Sequence, residues 1–155
     1  MTNSSSAPLA GRVALITGAN TGIGLATATA LAKQGAQVFV ACRSSERALA
    51  AVAEIERASG NPRITALSLD LGDFASIRSC AEAFLSRDLP LHLLINNAGL
   101  AGARGLSKSG FEVAFGVNHV GHFLLTSLLL ERIKSSAASA RSCAALPGSL
   151  MRHSS

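Results

Sequence analysis

Two hydrophobic patterns take turns along this chain of 155 residues. Short β-branched and aliphatic runs at residues 12–17 (RVALIT), 37–42 (QVFVAC), 63–69 (RITALSL) and 91–95 (LHLLI) predict buried strands. Between them the apolar residues recur at helical spacing. Residues 22–34 (GIGLATATALAKQ) predict an Ala- and Leu-rich helix that stops at Gly35. Ser44 or Ser45 can cap a second helix with Leu49, Val52 and Ile55 on one face, ended by Gly60, Asn61 and Pro62. Asp73 caps a third, in which Phe74, Ile77, Ala81 and Phe84 share a face. A long amphipathic helix is expected over residues 111–134. Strand and helix thus alternate four times. Parallel strands require such right-handed crossovers, so the expected fold is a doubly wound α/β domain with helices on both faces of a parallel sheet. The domain is expected over residues 9–136, after a Ser-rich flexible leader at 1–8.

The first strand runs into TGANTGIG, which places Gly18, Gly22 and Gly24 between a strand and a helix. At such a junction the first glycine permits a tight exit from the strand. The second lets backbone approach a pyrophosphate, and the third lets the helix lie close to the sheet. Free N–H groups and the positive end of the helix dipole would face the phosphates. The bland alternative is a merely tight turn. The second strand ends at Arg43, where an acidic residue would mark a preference for NAD(H). A guanidinium pairs with a 2′-phosphate, so NADP(H) is expected unless Arg43 is only a solvated surface residue. Asp70 ends the third strand and either accepts a hydrogen bond from adenine or caps the following helix. Asn96, Asn97, Ala98 and Gly99 end the fourth, where amides can tie strands together and small residues leave room for a sugar.

Composition narrows the class. Hydrophobic residues make up 48% and charged residues 15%, which fits a packed globular domain. The net charge of +5 is scattered, and nothing resembles a nucleic-acid-binding module. Three widely spaced cysteines without a CxxC suggest neither a disulfide framework nor a zinc site, and fit a reducing compartment. His119 and His122 have a spacing that could hold a metal, but no third ligand is nearby, which favours packing. The most apolar stretch, residues 123–130 (FLLTSLLL), falls short of the ~18 residues of a membrane span, so no span and a cytoplasmic location are expected.

TGANTGIG, the LDL after the third strand, NNAG after the fourth and the helix FEVAFGVNHVGHFLLTSLLL together resemble the short-chain dehydrogenase/reductase family. Within it they are similar to the retinol-dehydrogenase-like branch that prefers NADP(H), over residues 11–136. The resemblance implies a Rossmann-type fold and an oxidoreductase that interconverts alcohols and carbonyls by hydride transfer. It further implies that Gly18, Asn20, Thr21, Gly22, Ile23 and Gly24 cradle the phosphates and that Arg43 binds the 2′-phosphate. Asp70 and Leu71 would flank adenine, and Asn97, Ala98 and Gly99 would line the nicotinamide-side ribose. Asn118 would take the catalytic role of holding a relay water and propping a lysine, although a satisfied structural asparagine is the alternative. A small alcohol or carbonyl is the implied substrate, and a homo-oligomer could form through the long helix.

The family pattern continues with a fifth strand, a catalytic serine and a Tyr-x-x-x-Lys pair. This chain contains no tyrosine, and residues 137–155 lack a β-branched run. The expectation is therefore a sheet that ends at the fourth strand, followed by a disordered tail of foreign character at 137–155. A chain of that kind would be inactive alone, with an exposed apolar edge. A non-catalytic nucleotide-binding remnant is the second reading, and an interaction scaffold a weaker third.

Overall fold

The computed structural model of the protein describes residues 7–136 and 141–144. The strands are β1 (Val13–Thr17), β2 (Gln37–Cys42), β3 (Ile64–Ser68), β4 (Leu93–Asn96) and β5 (Arg141–Ala144). They form one parallel sheet in the order β3-β2-β1-β4-β5. The doubly wound parallel sheet is the one the sequence predicts, with one strand more. β5 pairs in register with β4, from Leu93 opposite Arg141 to Asn96 opposite Ala144. That corrects the expectation that the sheet ends at β4 with an open edge. The run RSCA is neither long nor β-branched, and here backbone pairing alone qualifies it as a strand. The rest of the expected tail, and residues 1–6 of the expected leader, lie outside the described residues.

Alternate residues of the central strands feed two cores. Leu15, Phe39 and Leu94 face α3 (Phe74–Leu85) and α5 (Gly121–Ser135), where Ile77, Phe84, Leu125 and Leu129 are buried. The rings of Phe39 and Phe84 meet edge to face at 5.0 Å. Ile16, Val38 and Val40 face the opposite layer, made of α1 (Gly22–Lys33) and α2 (Ser45–Ser59). α1 buries Gly24, Ala28 and Ala32, a stripe without bulk that lets the helix ride low on the sheet. The buried face of α2 is Ala48, Ala51 and Ile55, and Leu49 is 64% exposed. Of the expected face, Ile55 is buried and Val52 half-buried against the core, and the correction falls on Leu49, which Ala48 and Ala51 replace.

The expected long helix is continuous from residue 113 to residue 135, but its geometry changes within it. α4 (Val113–Phe115) passes into a π-helical turn at Gly116–Val120 before α5 begins. Gly121 lies directly against the backbone of Leu71, where a Cβ would overlap the Leu71 carbonyl. The helix Val113–Ser135 has 23 residues, and an 18-residue window within it has a mean hydropathy of 1.5, long and apolar enough by those measures to cross a membrane. The expectation of no such segment, and with it the cytoplasmic location, is thereby overturned. The apolar stretch looked too short in the sequence because Asn118, His119 and His122 interrupt it, whereas the helix carries the apolar character further upstream to Val113. Leu125, Leu129 and Ile133 of this helix are buried on the sheet.

Replacing a helical glycine with alanine ordinarily stabilises by about 1 kcal/mol. At Gly121 the sign reverses, because the new Cβ collides with backbone. Gly121→Ala is expected to destabilise by ~1–3 kcal/mol, read as a lower thermal midpoint. An unchanged or raised midpoint would show that the helix can shift away from Leu71.

Candidate functional site

The carboxyl ends of β1, β2, β3 and β4 open onto one cleft of about 490 Å³. Sheets of this kind bind ligands at that edge, where the strand order reverses. Gly18, Asn20, Thr21, Gly22, Ile23 and Gly24 line it from the β1–α1 turn, and Arg43 from the end of β2. Asp70 and Leu71 border it after β3, and Asn97, Ala98 and Gly99 after β4. The residues singled out as possible cofactor contacts therefore share one surface. Asn118 does not line the cleft, although its neighbour Val117 does.

The turn is built by close approach. Gly18 has φ +66°, and a Cβ there would lie 2.8 Å from the Ala98 Cα, so the two loops touch backbone to backbone. A Cβ on Gly24 would lie 2.5 Å from Asn97 Nδ2 and 2.6 Å from the Gly18 carbonyl oxygen. The Asn97 amide occupies that narrow space and donates to the carbonyls of Thr17 and Gly18 at 3.0 and 3.3 Å. The expected tie between strands is thus made by Asn97. Asn96 instead donates to Thr126 Oγ1 of α5 at 3.0 Å, and its Oδ1 has no partner among the described residues.

Helix α1 meets the cleft with its N-terminus bare. Ser44, Asp73 and Glu112 cap α2, α3 and α4 by accepting backbone N–H bonds, whereas Thr21 gives α1 no side-chain cap. A Cβ on Gly22 would meet open space. The first-turn N–H groups and the dipole end are thus presented to the cleft, as an anion site requires. At the other end Arg43 and Arg47 line the cleft, and neither forms an ion pair among the described residues. Asp70 does not cap α3, since Asp73 does. Its Oδ1 accepts from Gly72 N at 2.9 Å, which fixes the loop, and Oδ2 lies 3.7 Å from Lys108 Nζ.

Around Thr17 three elements converge. Its hydroxyl oxygen receives the N–H groups of Asn97 and Ala98 at 3.0 and 2.9 Å, and His122 Nε2 lies 2.8 Å away. Asn118 Oδ1 accepts from Leu100 N at 2.9 Å, and its Nδ2 donates to Leu100 O at 2.8 Å. Both ends of that amide therefore hold the loop after β4 from within the π-helical turn. His119 is exposed and stacks on Phe115 at 5.3 Å, while His122 is buried, so the two do not converge. No cluster of metal-ligating residues occurs among the described residues. Burial pushes the Cys80 thiol up to about 12 and raises that of Cys42, so neither is a ready nucleophile.

Sequence reasoning missed Thr17, Arg47 and Leu100, and it named His122 only as a packing residue. Thr17 was hidden as the last residue of an apolar strand. Arg47 carried a legible signal, since it lies in the first turn of the helix that follows Arg43.

The fold and the cleft are those of a Rossmann-type α/β domain. The sequence pattern of the short chain dehydrogenase family matches residues 12–141, and the chain belongs to that family. It is 50% identical over 136 residues to retinol dehydrogenase 11 of Mus musculus, covering 87% of this chain and 43% of that protein. Dehydrogenase/reductase SDR family member 13 of Bos taurus is 49% identical over 133 residues, covering 86% of this chain and 35% of that protein. The chain thus spans less than half the length of these curated relatives. Among solved structures, the Pseudomonas aeruginosa RhlG/NADP active-site complex has a TM-score of 0.75 and 32% identity, covering 90% of this chain and 56% of that one. A 3-ketoacyl-(acyl-carrier-protein) reductase from Brucella melitensis, complexed with NADH, has a TM-score of 0.71 and 32% identity, covering 87% and 55%. None of these relatives lends support to the expected cytoplasmic location.

Thr17→Val keeps the shape and strands the Ala98 N–H, at ~1–3 kcal/mol for a buried group left unpaired, while the Asn97 N–H keeps the Ile95 carbonyl at 3.0 Å. Denaturant unfolding is expected to show a loss of that order. A loss below about 0.5 kcal/mol would show that other acceptors take over.

His92 accepts from Val13 N at 3.0 Å through Nδ1, and it is buried. Burial, with Arg12 adding a like charge, holds its pKa below the ordinary value, and burial does the same for His122. The unfolded chain therefore binds protons first as pH falls. Stability is expected to be full above about pH 6.5 and to drop progressively below it, read as urea midpoints at several pH values. A flat midpoint through that window would contradict both assignments.

Proposed function

We propose that this chain forms the coenzyme-binding part of an NADP(H)-dependent oxidoreductase that interconverts alcohols and carbonyls. The observation that carries the reading is the pairing, in one cleft, of an α1 N-terminus without a side-chain cap and two guanidiniums that form no ion pair among the described residues. The pyrophosphate would rest on the N–H groups of Gly22, Ile23 and Gly24, with Asn20 and Thr21 beside it. Arg43 would hold a 2′-phosphate, a group that a carboxylate at the same place would repel. Asp70 and Leu71 would border the adenine, and Asn97, Ala98 and Gly99 the nicotinamide-side ribose. The bound coenzyme would supply hydride chemistry. Asn118 would act near the reacting centre through the loop at Leu100, which it already clamps. The names of the relatives make retinol one candidate alcohol.

The absence of tyrosine in this sequence favours a second reading, nucleotide binding without turnover. Titration of coenzyme fluorescence beside an absorbance assay with retinaldehyde separates the two, since binding without oxidation of NADPH supports the second.

Arg43→Ala is expected to weaken NADPH binding by about 10-fold or more and to leave NADH nearly unchanged. Equal losses for both coenzymes would remove the 2′-phosphate assignment. No binding of either by the folded protein would remove the proposed function.

A further inference from the structure

Thr17 Oγ has more partners than one proton can serve, and counting them fixes the state of His122. Asn97 N and Ala98 N both donate to that oxygen, at 3.0 and 2.9 Å. A hydroxyl offers two acceptor sites and a single proton. Both acceptor sites are taken, so the proton has to be donated. Ile95 O lies 3.5 Å away and His122 Nε2 2.8 Å, which makes the imidazole nitrogen the acceptor. The ring hydrogen then sits on Nδ1, which is 3.2 Å from the Asn118 carbonyl and donates to it. One buried ring thereby joins the carboxyl ends of β1 and β4 to the π-helical turn that carries Asn118.

Among the described residues no charged side chain faces this ring. Thr17 meets it from β1, the Asn97–Ala98 backbone lies behind Thr17 at the end of β4, and Asn118 meets it from its own helix. The perturbing influences on it are burial and the Asn118 carbonyl alone. A proton added at Nε2 would point at an oxygen whose lone pairs are both engaged, and Thr17 would have to release one of the two amides, most readily that of Asn97, which also donates to the Ile95 carbonyl at 3.0 Å.

We propose that His122, as the neutral Nδ1–H tautomer, is a positioning residue that locks the Asn97–Ala98 loop to the Asn118 turn, and that protonation of Nε2 opens this lock. With the cleft read as above, an open lock loosens its nicotinamide side and lowers coenzyme affinity. The consequence for binding rests on the proposed function; the lock itself does not.

The test uses the full chain labelled with ¹⁵N. Long-range ¹H–¹⁵N spectra are expected to show His122 protonated on Nδ1 and bare on Nε2, and the reverse pattern would overturn the proposal. Between about pH 7.5 and pH 5 the amide signals of Asn97, Ala98 and Leu100 are expected to move with the His122 titration. They should not do so in His122→Gln, whose amide oxygen can accept from Thr17 without titrating. In NADPH fluorescence titrations near pH 7.5, His122→Phe is expected to bind about five-fold more weakly and His122→Gln within about two-fold of the wild type. Towards pH 5.5 the wild type should lose a further factor of about five relative to His122→Gln, a comparison that cancels titration of the coenzyme's own phosphate. Parallel profiles for all three proteins would sink the idea. Should His122→Phe fail to fold, the spectra and His122→Gln decide. If the folded wild type binds no NADPH, the proposed function fails, and amide signals that ignore the His122 titration would separately refute the lock.

Discussion

A threonine hydroxyl at the end of β1 holds this site together. Parallel strands have no hairpins to join their ends, so the carboxyl edge of such a sheet needs other ties. Thr17 supplies one by receiving two consecutive backbone N–H groups from the loop after β4 while meeting a ring from α5. The Asn97 amide completes the tie from the other direction by donating to the carbonyls of Thr17 and Gly18. Two strand ends and one helix are thereby fixed within a few ångströms. All these groups are buried or half-buried, which makes each partner costly to lose.

From that anchor the rest of the cleft follows by close packing. Gly18 touches Ala98, and Gly24 makes room for Asn97, so the turn before α1 can sit only where the β4 loop allows. The Ala-lined stripe of α1 brings its N-terminus down to the same level. Across the site, the π-helical turn places Asn118 against the Leu100 backbone. Such turns are inserted where a side chain must be re-aimed, and they occur often at functional positions. Here the change of helical geometry and the amide clamp coincide.

Much of the fold was legible because each strand of the core is a compact apolar run bounded by strong punctuation. Ser44, Gly60 and Asp73 act as the caps their chemistry suggests. Legibility failed where structure is decided by neighbours. β5 exists because β4 offers it a ladder, and RSCA carries no strand signal of its own. The buried face of α2 kept Ile55 but took Ala48 and Ala51 in place of Leu49, because a close helix contact leaves no room there for a larger side chain. The π-helical turn leaves no mark on apolar periodicity. The loops around the cleft could be named from the glycine spacing and the strand ends. The Thr17–His122 contact could not, since it joins residues 105 positions apart.

The bare first turn of α1 makes the floor of the cleft from main chain, while the groups that would discriminate one ligand from another, Arg43 and Arg47, stand exposed at its rim. Grip and selectivity are thereby carried by separate parts of the polypeptide. A few surface replacements after β2 could redirect ligand choice without rebuilding the scaffold beneath. Changes to the floor itself would need a redesigned backbone.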